Sequence, residues 1–151
     1  MSDVSVAGLT DLPALMSLES SFPASQRWSA DSWREELIAV NRRVLVCGGE
    51  GVVEAAATFA LCDDVVDLHR IVTSPAARRR GLARQLLAAG IGWAEAQGAC
   101  RMLLEVEATN AAALALYATQ GFLPIAERRD YYGPGAHAAI LERSMSEGEQ
   151  P

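Results

Sequence analysis

Lysine is absent from the 151-residue chain; all 13 basic residues are arginine. A Walker phosphate loop is thereby excluded, because its G-x-x-x-x-G-K-S/T pattern needs the lysine. The dinucleotide fingerprint G-x-G-x-x-G is missing as well. Histidine is scarce: His69 and His137 stand isolated, with no ligand spacing around either, so no metal is expected. The three cysteines, Cys47, Cys62 and Cys100, are odd in number and widely spaced, and no C-x-x-C pair suggests zinc or a thioredoxin-like motif. Each lies among apolar residues and reads as a small buried hydrophobe in a reducing compartment. No uncharged apolar run approaches the roughly 20 residues that span a bilayer, so no membrane partner is expected. The start, Met1-Ser2-Asp3-Val4, lacks the basic-then-apolar pattern of a signal peptide, which together with the cysteines suggests a cytoplasmic protein. Positive charge is not in excess either. A net charge of -6 argues against general affinity for nucleic acid.

What is present suits a globular domain. Half of the residues are hydrophobic and 21% are charged, too apolar for a disordered chain. No repeat or linker divides the sequence. Residues 1–145 are expected to form a single domain, and the polar residues 146–151 a flexible tail.

Val4-Ser5-Val6 alternates as a first strand. Thr10 and Asp11 offer caps for a helix with Leu12, Leu15, Met16 and Leu18 at helical spacing, running to about Ser20. Ser29 opens a second helix over Asp31–Val40, with Trp33, Leu37 and Ile38 as its apolar face. Arg43–Cys47, Val52–Leu61 and Val65–Thr73 read as a three-strand meander turning at Gly48-Gly49-Glu50-Gly51 and Asp63-Asp64. From Gly81 the period is helical, with Ala83, Leu86, Leu87, Gly90, Ile91 and Ala94 on one face, ending near Gly98. Arg101–Glu107 is a strand, Asn110–Thr119 a short helix stopped by Gly121, and Phe122–Arg129 and Ala138–Arg143 two last strands. The order implies an α+β fold with a mostly antiparallel sheet and one parallel crossover around the long helix.

Three features carry chemistry. In Arg78-Arg79-Arg80-Gly81-Leu82-Ala83, a tight turn feeds a helix N-terminus, whose unpaired N–H groups and partial positive charge suit a phosphate. The alternative is a plain solvated basic turn. Glu105 places a carboxylate inside the apolar run Met102–Val106, costly unless paired, solvated or useful. It could equally be an outward-facing polar residue, and Glu107 shares its face. Asn110 suits a helix start and Tyr117, about two turns on, returns to its face; a plain cap and a half-buried aromatic are the competing readings.

Taken together, Ile71-Val72-Thr73-Ser74-Pro75, Arg78-x-x-Gly81-x-Ala83, Leu104-Glu105-Val106 and Asn110-x-Ala112-Ala113-x-x-Leu116-Tyr117-x-x-x-Gly121-Phe122 resemble the GNAT acetyltransferases, in order and with the family's spacings. The match runs from about residue 65 to 143. Ala83 stands where glycine is commoner in the family's Q/R-x-x-G-x-G/A motif. The resemblance implies the GNAT fold, a twisted mixed sheet of about seven strands flanked by about four helices. It implies acetyl-CoA as acetyl donor, without a metal. Glu105-Val106, Asn110–Ala113, Tyr117 and Asp130-Tyr131-Tyr132 look most like the RimI-type members, which acetylate the N-terminal alanine of a small-subunit ribosomal protein. His137-Ala138 departs from that type, which usually has Asp-Ala before the last strand.

The same resemblance assigns the pantetheine to the backbone of Ile71, Val72 and Thr73 and to Asn110. It assigns the pyrophosphate to the N–H groups of Arg79, Arg80, Gly81, Leu82, Ala83 and Arg84, after the motif's Arg78. Glu105, directly or through water, would be the general base for the amine, Tyr117 the proton donor to departing CoA, and an N–H near Val72 the polariser of the carbonyl. The expected partner is a protein N-terminus or peptide, a ribosomal protein among the candidates. A GNAT acting on small amines or lysine side chains, and a non-catalytic acyl-CoA-binding module, are the alternatives. The Phe22–Trp28 and Asp130–His137 loops would build the acceptor groove.

Overall fold

In the computed structural model, which describes residues 3–49 and 52–145, the elements follow in this order: β1 (Asp3–Val6), α1 (Leu12–Glu19), α2 (Ala30–Ile38), β2 (Arg42–Gly48), β3 (Ala55–Cys62), β4 (Val65–Thr73), α3 (Leu82–Ala96), β5 (Arg101–Glu107), α4 (Ala111–Thr119), β6 (Leu123–Arg128) and β7 (Ala138–Ser144). The seven strands form one mixed sheet in the order β1-β2-β3-β4-β5-β7-β6. β1 and β2, β2 and β3, β5 and β7, and β6 and β7 pair antiparallel; β4 and β5 pair parallel. β3 and β4 are sheet neighbours joined by Asp63-Asp64 alone, a hairpin connection. The α+β reading with one parallel crossover around α3 is what the chain adopts.

Four local expectations need correction. α2 stops at Ile38, not Val40, because Ala39 is extended at φ -71° and ψ 137°. Ile38 is 62% exposed rather than part of the apolar face, while Trp33 is fully buried. β3 begins at Ala55 rather than Val52. Val52 folds back to donate its N–H to the Gly49 carbonyl, and a Cβ on Gly48 would collide with the Val52 carbonyl. Of that turn, Glu50 and Gly51 lie outside the described residues, as does the expected tail over 146–151. Cys47 is buried as read, but Cys62 and Cys100 are exposed. Both flank the Asp63-Asp64 turn, Cys62 at the end of β3 and Cys100 donating its N–H to the Asp64 carbonyl at 2.7 Å.

The chain divides into two compact units, Met1–Ala60 with His69–Gly90, and Leu61–Leu68 with Ile91–Pro151. In the first, Leu15 and Leu18 of α1 and Trp33 of α2 pack with Val44, Val46, Ala56 and Val72 of the strands. Two carboxylates lie within this apolar region, and each is neutralised from a strand. Glu19, 1% exposed, accepts from the Trp33 indole at 2.8 Å and the Trp28 N–H at 2.9 Å, and ion-pairs with Arg70 at 2.6 Å. Arg70 also donates to the Gln26 carbonyl at 2.7 Å and lies 3.9 Å over the Phe22 ring. Glu36 accepts from Thr58 at 2.6 Å and pairs with His69 at 3.1 Å and Arg42 at 3.2 Å. Burial alone would raise its carboxyl, but the hydrogen bonds of His69 and Thr58, the His69 charge and Arg42 together hold it below the ordinary value.

In the second unit, β5 alternates strictly. Met102, Leu104 and Val106 are buried, and Arg101, Glu105 and Glu107 are exposed. Its core-facing residues continue into Ala138 and Leu141 of β7. β6, the outermost strand of the order, is exposed along its whole length and carries a bulge between Pro124 and Ala126. Asn110 caps α4, its Oδ1 accepting from the Ala113 N–H at 3.1 Å.

Gly90 of α3 lies against Phe59, which is fully buried; a Cβ there would land inside the Phe59 ring. Gly90→Ala is expected to lower stability by about 1–3 kcal/mol through overpacking, despite the roughly 1 kcal/mol that alanine gains over glycine in a helix. Urea unfolding of the variant checks this; an unchanged or raised midpoint would show that Phe59 yields.

Candidate active site

The first unit holds the turn and the strand that the sequence singles out. β4 pairs with β5 only over Val65–Asp67 against Arg101–Leu103, then continues to Thr73. Within Ile71-Val72-Thr73, Val72 is buried and its two neighbours are partly exposed. Ser74, whose N–H donates to the Glu54 carbonyl at 2.8 Å, and a 3-10 turn at Pro75–Ala77 carry the chain to Arg78. Arg79 and Gly81 both have positive φ, 69° and 77°. With Arg80 between them at ordinary φ, this alternation turns successive N–H groups to one side, the geometry of anion-binding nests. Gly81 is the residue type this conformation favours, and a Cβ built on it meets nothing within 4 Å, so the space above the turn is open. The first α3 hydrogen bond closes from the Gln85 N–H to the Gly81 carbonyl at 3.0 Å. The N–H groups before it therefore have no intrahelical acceptor. Strand edge, nest and helix N-terminus fit an amide arm followed by a phosphate.

The arginines of this turn differ in their duties. Arg80 is taken up by Glu54, with Nη1 on Oε2 and Nη2 on Oε1, both at 3.0 Å. These two hydrogen bonds, with that from the Gly49 N–H, hold the Glu54 carboxyl below its ordinary value. Arg80 is thus a brace for the turn, whereas Arg78, Arg79 and Arg84 are solvent-exposed and Leu82 is buried. A cavity of about 690 Å³ in the same unit is lined by Thr10, Ser17, Ser21, Val53, Glu54 and Ser74 among others. It touches neither Ile71–Thr73 nor Arg78–Arg84, so it is not the space the sequence assigns to the donor.

Glu105, Asn110 and Tyr117 lie in the second unit. Glu105 faces outward, its side chain 32% exposed, and accepts from Arg128 Nη1 at 2.7 Å. The carboxylate in the apolar run is therefore both paired and solvated. Glu107, on the same face, accepts from the Thr109 hydroxyl at 3.4 Å. Tyr117 is 4% exposed, buried rather than half-buried, with its ring edge-on to Phe122 at 5.8 Å. Burial and the neighbouring Tyr132 push its phenol up to about 12. Tyr132 is itself raised by burial and then by Glu105, Tyr131 and Glu107. Tyr132 thus lies within electrostatic reach of both Glu105 and Tyr117. The loop that presents it is self-braced. Asp130, at φ 54°, accepts from the Gly135 N–H at 2.7 Å, and its own N–H donates to His137 Nδ1 at 2.9 Å. His137, in place of an acidic residue, is the acceptor that closes the loop. Among the described residues no group of three or more acidic, histidine or cysteine side chains is arranged to hold a metal.

Sequence reasoning did not single out Arg128 or Glu54. Their partners are 23 and 26 residues away, so no local spacing points to them.

A helix opened on a glycine nest, beside a strand edge, suits a cofactor that carries phosphate. The model of the acetyltransferase (GNAT) family matches residues 11–122. The ribosomal protein bS18-alanine N-acetyltransferase of Salmonella typhimurium is 36% identical over 142 residues, 87% of this chain and 88% of that one. The crystal structure of the ribosomal-protein-S18-alanine N-acetyltransferase from Escherichia coli superposes with a TM-score of 0.90 at 30% identity, over 99% of this chain and 97% of that one. That of yncA from Salmonella typhimurium, solved with its cofactor acetyl-CoA, has a TM-score of 0.84 at 23% identity over 99% and 97%, a likeness of fold. The chain belongs to the GNAT family; it is an acetyltransferase, and acetyl-CoA is its donor.

Gly81→Asp adds a strained Cβ at positive φ and a negative charge to an anion-binding turn. It is expected to weaken acetyl-CoA binding by at least 100-fold, since a lost nest and a like charge each cost on the order of 1–3 kcal/mol. Calorimetric titration with acetyl-CoA reads this directly; unchanged affinity would place the donor elsewhere.

Proposed function

We propose that this enzyme acetylates the N-terminal α-amine of a protein, with a small first residue such as alanine, and that a ribosomal protein in the cytoplasm is its acceptor. The observation that carries the reading is the 36% identity, over 87% of the chain, to an enzyme named for that acceptor. The presence of Glu105 and Tyr117 around Tyr132 supports it.

The donor's pantetheine pairs with the backbone of Ile71, Val72 and Thr73 and reaches Asn110. Its pyrophosphate takes the N–H groups of Arg79–Arg84. An α-amine of pKa about 7.7–8.0 is mostly protonated at neutral pH, so a base must free its lone pair. Glu105 accepts that proton, directly or through one water. The amine nitrogen then attacks the thioester carbonyl, the C–N bond forms, and an N–H near Val72 stabilises the oxyanion. The nitrogen gives up its remaining extra proton to water, the C–S bond breaks, and CoA leaves as a thiolate. A phenol raised to about 12 stays protonated at every working pH. Handing its proton fully to a thiolate of pKa near 8.5 is uphill by roughly 5 kcal/mol. Tyr117 therefore acts by donating a hydrogen bond to the sulfur as charge develops on it.

Glu105→Gln keeps the shape and loses the acceptor, so turnover should fall about 10²–10⁴-fold with acetyl-CoA binding intact. The deficit should shrink above the amine's own pKa, where water frees the amine. Glu107→Gln should be nearly silent; a large loss there with a normal Glu105→Gln would exchange their roles. Tyr117→Phe should lower kcat and spare acetyl-CoA affinity, and an unchanged kcat would leave Tyr117 as packing against Phe122.

Peptides differing in their first residue, incubated with acetyl-CoA and read by mass spectrometry, test the acceptor. Acetylation at an N-terminal Ala is expected. Products only on lysine side chains, or only on free small amines, would move the enzyme to another acceptor class.

A further inference from the structure

Arg128, at the end of β6, belongs to none of the motifs above, yet it touches both parts of the acceptor side. Its Nη1 donates to Glu105 Oε2 at 2.7 Å, and its guanidinium carbon lies 4.7 Å from the centre of the Tyr131 ring. Tyr131 in turn meets Tyr132 edge-on, with centroids 5.0 Å apart. The strand register makes the choice of partner informative. Arg128 is level with Ala138 of β7, and Ala138 is level with Glu107 of β5. The carboxylate in Arg128's own row is therefore Glu107. Arg128 instead reaches over β7 to Glu105, one pleat repeat along, where Ile140 marks the row.

With 52% and 32% of the two side chains exposed, such a pair is screened by water and adds little to stability. What it supplies is geometry. A glutamate on an exposed strand face samples several rotamers, and fixing one before the reaction removes an entropic cost from the transition state. The hydrogen bond runs from one nitrogen to one oxygen, and the second carboxylate oxygen keeps its lone pairs for a proton. The flat guanidinium meanwhile stacks on Tyr131, which an ammonium does less well.

We infer that Arg128 is a positioning residue for acetyl transfer: it fixes the Glu105 carboxylate and docks the Tyr131-Tyr132 corner beside it, so that base and corner act as one unit. This rests on Glu105 being the base. Arg128→Gln should lower kcat about 10-fold to 100-fold and raise KM for an alanine-first peptide, with KM for acetyl-CoA unchanged. Arg128→Lys should recover most of kcat, because an ammonium still reaches the carboxylate, and little of the peptide KM, because the stack on Tyr131 is lost. Adding Arg128→Gln to Glu105→Gln should cost nothing further in kcat.

A wild-type kcat in Arg128→Gln beside an impaired Glu105→Gln overturns the inference and leaves the base standing. So does a loss from Arg128→Gln that is as large without Glu105 as with it, since Arg128 then acts through some other group. A wild-type kcat in Glu105→Gln overturns the base assignment, and the inference with it. Melting curves of all variants separate these outcomes from misfolding, and should Arg128→Gln melt early, the same cycle is run with Arg128→Met, which keeps the aliphatic stem and lacks the donor.

Discussion

A carboxylate 1% exposed in an apolar interior stands only if every oxygen is engaged and its charge is matched. Glu19 meets that demand by drawing in four segments at once. It takes the indole N–H of α2, the backbone N–H of Trp28, and the guanidinium of Arg70 from β4, while belonging itself to α1. The chain between the two helices has no regular structure beyond a short 3-10 turn at Ala24–Gln26. It is held because Arg70 caps the Gln26 carbonyl and stacks on Phe22. Removing the Glu19 charge would leave the partly buried Arg70 without its carboxylate and the Trp33 and Trp28 N–H groups without an acceptor, at a cost of about 1–3 kcal/mol for each buried donor left unpaired. The strand that Arg70 belongs to is also the one offering Ile71–Thr73. The anchoring of the first two helices and the placing of that strand edge are thus a single problem with a single solution.

The periodic parts of the fold could be read from the chain. Val65–Thr73 and Arg101–Glu107 appear with the boundaries expected of them, because each is closed by strong punctuation: Asp63-Asp64 and Ser74-Pro75 for one, Gly98 and Asn110 nearby for the other. Ser29 and Asn110 cap the helices they precede. The errors lie where apolar residues continue past the last packed position. Ile38 looks like core by composition, yet it is exposed in the last turn of α2, and the extended Ala39 ends the helix before Val40. Alternation likewise cannot reveal that Val52 folds back over Gly48, since that depends on a turn and not on a period.

For the site, the legible residues were those whose role depends on the backbone or on local spacing. Gly81 is identifiable because positive φ before a helix demands it, and Asn110 because a cap sits next to what it caps. Side chains that act across strands left no local trace. Glu105 was visible as an anomaly in an apolar run, but its partner Arg128 follows only once β5, β7 and β6 are in register. The elevated phenol of Tyr117 is of the same kind, since burial by distant residues sets it.

Among the described residues the ion pairs are built from guanidinium groups and histidine, and the sequence offers no lysine ammonium for one. For an enzyme that transfers acetyl groups to primary amines, that choice has a chemical consequence. A guanidinium stays charged at any pH at which the enzyme works and is no nucleophile toward a thioester. The framework that holds Glu19, Glu36, Glu54 and Glu105 in place is therefore inert to the reagent it handles. Acetyl-CoA can accumulate around the protein without neutralising a single side-chain cation on which the fold depends.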